Sequence, residues 1–129
     1  MAVGVSTVNL ANAWLNVLRG TTFTGISVFV KLHIGDPGSA GASNAAVGST
    51  TRPAISWTAA ASGTLTMTGT APSWTNGGTS ETLSHVSFWD ASTAGNFLCS
   101  AALGSTQAWA SANVYTLTAQ GWSITPLAA

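Results

Sequence analysis

Charge is what this sequence has least of. Of its 129 residues, three are Lys or Arg and three are Asp or Glu; they make up 5% of the chain and sum to zero. Soluble domains carry roughly 25% charged residues. Three cations cannot build the basic stripe that neutralises phosphates, which excludes nucleic acid as a partner. Cysteine is nearly absent too. Cys99 stands alone, so neither an intrachain disulfide nor a cysteine-based metal cage can form. Long apolar runs are missing: Gly, Ser and Thr interrupt every apolar stretch before it reaches the roughly 18 residues of a membrane helix. The N-terminus lacks the positive region ahead of an apolar run that marks a secretory signal. The expectation is a protein with no membrane partner.

What is present is apolar and small. The hydrophobic fraction is 46%, ordinary for a globular protein. With six charged side chains, the surface must be built from Ser, Thr, Asn, Gly and Ala. Such a surface is wettable but offers little charge repulsion between copies, and near-zero net charge favours association. The length suits one domain over 1–129 with a single buried core.

One segment has helical period. Between Asn9 and Arg19, the residues Leu10, Trp14, Val17 and Leu18 fall at i, i+4, i+7 and i+8, on a single stripe. Thr7 or Asn9 can cap its start, and Gly20 supplies the stop. A helix this short is marginal alone in water, so the stripe is expected to dock on its own sheet or on another subunit.

The rest reads as short strands. Ile26 to Ile34 is apolar and ends at Gly35-Asp-Pro-Gly38. Residues 39–51 are small and polar, and they read as a mobile loop or a contact arm. Strand patterns follow at Arg52 to Ala60, Thr64 to Thr68, Pro72 to Trp74, Thr82 to Trp89, Phe97 to Leu103, Val114 to Ala119 and Gly121 to Thr125. The central pair flanks Asp90 to Asn96, where Asp, Ser, Gly and Asn cluster as turn formers do. Short strands separated by frequent turns predict a mainly β fold. The expected form is an antiparallel β-sandwich over 26–125, jelly-roll or Ig-like, with one short N-terminal α-helix over 9–19.

The inventory for chemistry is thin. His33 with Asp36 and His85 with Asp90 are the pairs that could meet across strands to hold a metal, but their spacing is not that of a zinc site. The alternative is that each Asp opens an Asx-type turn and each His is an interstrand residue. Cys99 lies mid-strand in an apolar run, where a thiol is an inert small hydrophobe. No nucleophile elbow, P-loop or dinucleotide fingerprint is present. The expectation is therefore no enzyme, no cofactor and no metal. Tryptophans within strands, such as Trp57, Trp89 and Trp122, are expected to pack or to anchor contacts rather than to form a sugar platform.

Several strings resemble one family. Asn12-Ala-Trp-Leu-Asn-Val-Leu-Arg-Gly20, Val30-Lys-Leu-His-Ile-Gly-Asp-Pro-Gly38, Ser43-Asn-Ala-Ala46, His85-Val-Ser-Phe-Trp-Asp-Ala91, Phe97-Leu-Cys-Ser-Ala-Ala-Leu103 and the Thr125-Pro-Leu-Ala-Ala129 ending are similar to small virion proteins of tailed phages that infect actinobacteria. Members are labelled tail fibre, minor tail or minor capsid proteins. The resemblance implies a structural protein of the virion with no catalytic residues. Its partners would be other phage structural proteins, such as the major capsid protein or tail proteins, and copies of itself as a homo-oligomer on the particle. Size favours a head decoration or minor capsid protein that cements the capsid. The alternative is a minor tail or tail-fibre component used in host attachment, with carbohydrate as one candidate ligand. In either case the expected assembly contacts are Leu10, Trp14, Val17, Leu18 and Trp89.

Overall fold

A computed structural model describes residues 3–124. Eight strands follow an N-terminal helical segment: β1 Val28–His33, β2 Ala54–Trp57, β3 Thr64–Thr68, β4 Ser73–Thr75, β5 Glu81–Trp89, β6 Phe97–Trp109, β7 Val114–Thr116 and β8 Gly121–Ser123. Six of them form one antiparallel sheet in the order β6-β5-β1-β2-β3-β8, and β4 pairs with β7 in a separate ribbon.

The sheet is curled rather than stacked. β5 and β8 stand four places apart in the sheet order, so at the usual strand spacing a flat sheet would hold them roughly 19 Å apart. Yet the Phe88 and Trp122 rings, one from each strand, meet edge to face with centroids 5.6 Å apart. Trp57 of β2 also reaches Phe88, at 6.3 Å. The three aromatic rings occupy the concave side and draw the two ends of the sheet toward each other.

This half-barrel replaces the expected jelly-roll or Ig-like sandwich. A sandwich needs a second sheet with an apolar face of its own. The strands available for one, β4 and β7, span three residues each, and β2, β3 and β8 join the first sheet instead. The core runs through Val30 and Leu32 of β1, Leu83, Val86 and Phe88 of β5, and Trp109 of β6, all fully or almost fully buried.

β6 runs well beyond the expected end at Leu103. His85 faces Ala102 but Leu83 faces Gln107, so Leu103 to Thr106 bulge out against the single Ser84 before pairing resumes. That bulge interrupts the period-2 pattern, which is why the strand looks finished in the sequence. The outer edge of β6 is covered where it starts: the Ser6 N–H donates to the Leu98 carbonyl at 2.6 Å, and the Ser100 N–H donates to the Gly4 carbonyl at 2.8 Å. Pairing of this kind removes an open edge that would otherwise invite aggregation.

The helical segment also differs from its expected form. Thr7–Ala11 is a π-helical turn, and α-helix α1 covers only Asn12–Val17. Ser6, rather than Thr7 or Asn9, caps it, its Oγ accepting from the Asn9 N–H. Asn9 is used elsewhere, its Nδ2 donating to the Phe97 carbonyl at 2.8 Å. The stop does fall at Gly20, in the left-handed region with φ +85. The Gly20 and Thr21 N–H groups close on the Val17 and Asn16 carbonyls, the paired bonds of a Schellman motif.

Candidate functional site

The concave side of the curled sheet is an apolar groove of about 460 Å³. Its floor is Phe88, Leu98 and Cys99, its walls are Trp57 and Trp122, and the N-terminal helix leans over one end with Leu10 and Trp14. Thr64 and Ser123 supply the polar side chains of the lining. Desolvation holds the Cys99 thiol far above its usual pKa, so it is protonated and inert toward oxidants and metals.

The expected helical stripe divides at this groove. Leu10 is 5% exposed and belongs to the core, but Trp14, Val17 and Leu18 are 41%, 48% and 88% exposed. The π-helical turn explains the division: its wider turn breaks the 3.6-residue period on which the stripe was read. Leu15, which that period placed off the stripe, is 64% exposed. The helix therefore presents unpartnered apolar side chains beside an apolar groove. Trp89, the fifth expected contact, is buried and packs edge to face on Phe97. The sequence marks Trp57 and Trp122 as packing or contact residues but does not pair them as groove walls, because they lie 65 residues apart and are joined only by the curl.

The titratable residues close turns and knit strands. His33 and His85 face each other across β1 and β5, but their rings engage different partners. His33 Nδ1 lies 2.8 Å from the Ser43 carbonyl and must donate to it. Nε2 then accepts from the Ser87 hydroxyl at 2.7 Å, and Ser87 Oγ accepts from Trp89 Nε1 at 2.8 Å. Burial, with a smaller contribution from the nearby Lys31 charge, lowers the His33 pKa to about 4. A hydroxyl on a neutral imidazole is the beginning of a nucleophile–base pair, but both residues are fully buried, beyond the reach of any substrate. His85 Nδ1 pairs with Ser84 Oγ.

The carboxylates are turn anchors, as the Asx reading has it. Asp36 Oδ1 accepts from the Gly38 N–H at 2.9 Å. Asp90 takes the Asn96 N–H and side-chain amide at 2.6 and 2.8 Å. Glu81 accepts from the Val47 and Gly48 N–H groups, so the 39–51 segment is tied back to β5. Among the described residues, no three of His, Cys, Asp and Glu converge as a metal site.

The histidines and carboxylates are thus engaged in turns and strand contacts, and the groove beside them is lined mainly by apolar side chains. The chain belongs to the family described as podophage GP4 fiber I protein gp80, whose model matches residues 4–125. No curated protein matches the chain. The protein is therefore a non-enzymatic structural component of a phage virion, at work among other virion proteins. The description names a fibre, which favours the tail-fibre alternative over a capsid-cementing decoration, and it ties the family to no actinobacterial host. The Thr125 to Ala129 ending that shared in the resemblance lies outside the described residues.

Proposed function

We propose that this protein is a component of a tail fibre and contributes to attachment of the phage to its host. The observation that carries this reading is the family match over residues 4–125 to a fibre protein. The strings that resemble virion proteins of actinobacterial phages point to a host in that group. Its partners in this reading are tail proteins and further copies of the chain.

Carbohydrate binding through the groove is disfavoured on chemical grounds. A sugar stacks on a tryptophan face only when polar groups beside the ring take its hydroxyls, and the groove lining offers two side-chain hydroxyls and no amide, carboxylate or cation. Host contact is therefore assigned to surface outside the groove.

Deletion from the phage genome tests the proposal. Virions lacking the protein should keep heads that retain DNA on heating but should adsorb poorly to host cells, and antibody labelling of intact virions should mark the tail. Heads that leak DNA with adsorption unchanged would return the protein to the capsid.

A further inference from the structure

We propose that the groove is filled by the N-terminal helix of a second copy of this chain, with Leu15 and Leu18 as the inserted side chains. The inference concerns the interface itself and stands whether the protein sits on tail or head.

Three observations choose a second copy as the occupant. The first is that the described residues carry both halves of a contact they do not make with one another. Leu15 projects from a six-residue helix none of whose residues is buried and Leu18 from its C-cap, while the groove beside them is walled by Trp57 and Trp122 and rimmed by Ile26 and Ile124, with no side chain among the described residues filling it. A six-residue helix is far below the length that is stable in water on its own, so a burial partner for its apolar side contributes directly to its stability. Trp14 lines the groove and Leu18 stands one turn further along, at the C-cap of the same helix. Knob and hole are thus neighbours, and two copies related by a twofold axis can fill each other's grooves.

The second observation is charge. The groove lining contains no charged side chain, and Arg19 is the one charge that flanks the helix. A second copy brings no ion into the groove, so no charge has to be desolvated on contact. The third is size. Trp14, Leu15 and Val17 of the helix, Leu18 at its C-cap, and Ile26 and Ile124 of the rim are 41–88% exposed, and mutual insertion covers that apolar surface on both copies, toward the roughly 800 Å² per side of a standard interface. Aromatic anchors surrounded by aliphatic side chains are also the composition of binding hot spots.

The test is the mass of the full-length protein in solution, by light scattering across a concentration series, together with acrylamide quenching of its tryptophans. Wild-type protein should exceed monomer mass, and Trp14, Trp57 and Trp122 should become shielded as it associates. A Leu15→Glu/Leu18→Glu variant changes only exposed positions, so it should fold with an unaltered circular dichroism spectrum, lose the higher mass and lose the shielding. Ile124→Glu, at the exposed rim of the groove, should reproduce that loss from the other side of the contact. Wild-type protein that stays monomeric to about 100 µM, well above the micromolar Kd of a weak specific complex, overturns the proposal, whatever other molecule or segment then enters the groove. So does an assembly whose mass neither variant reduces.

Discussion

The Arg52 guanidinium lies over the Trp89 ring, 3.7 Å from its centroid. The same group donates from Nη1 to the Ala94 carbonyl at 2.6 Å and more weakly to that of Ala91. One cation thereby fastens the approach to β2 onto the β5–β6 turn. Desolvation lowers its pKa, but a guanidinium stays charged at any pH the fold survives.

Replacing Arg52 with Ala should destabilise the protein by about 2 kcal/mol, the combined scale of a partly desolvated cation–π contact and a charged hydrogen bond. Lys should restore only part of this, since an ammonium cannot stack flat and donate in the same plane. Urea unfolding of both variants, followed by tryptophan fluorescence, measures the difference.

Phe88 is the ring on which the curl closes. Phe88→Ala leaves a cavity between Trp57 and Trp122 and should cost about 3–5 kcal/mol. Near-ultraviolet circular dichroism should weaken along with the loss of stability, because both tryptophans lose their aromatic neighbour. Leu18→Ala, at the exposed end of the helix, should shift the unfolding of the monomer by less than about 0.5 kcal/mol.

Acid should weaken the fold through His33. Its pKa is about 4 in the folded protein against 6.5 for an ordinary histidine. As pH falls, the unfolded chain takes up the proton first, so the His33 contribution is intact above pH 6.5 and is lost progressively down to pH 4. The difference in pKa corresponds to about 3 kcal/mol. Urea midpoints at pH 7 and pH 4 should differ accordingly, the difference should shrink in His33→Gln, and an NMR titration of the His33 ring should show no protonation above pH 5.

Glu81 holds the end of the 39–51 segment by accepting from the Val47 and Gly48 N–H groups. Glu81→Gln removes the charge from those bonds, which are stronger than neutral ones. Hydrogen exchange at Val47 and Gly48 should accelerate by about tenfold, the equivalent of roughly 1.4 kcal/mol of local opening. Exchange at Val30 and Val86, deep in the sheet, should stay the same.

Much of this protein was legible along the chain because its signals are local. β3 and β5 fall close to where alternation places them, since side-chain direction in a strand has period 2 whatever lies beside it. Asp36 and Asp90 close the turns their neighbours announce, because an Asx turn needs only a few residues and a flexible glycine. The shortage of charge was likewise legible, since the three cations are counted in the sequence and no fold can add more.

The sequence by itself determined a chain of short antiparallel strands, a helix stop at Gly20, and a surface with almost no charge. Tertiary structure alone decided that six strands share one sheet, that Phe88 meets Trp122 across four strand positions, and that Leu10 is buried while Leu18 is not. The physical reason is range. Turns, caps and strand alternation are set by neighbours a few residues away, whereas the curl arises from contacts between rings 34 residues apart, and the π-helical turn from bonds that anchor residues 4–9 to β6. No periodicity records either, and together they make the groove.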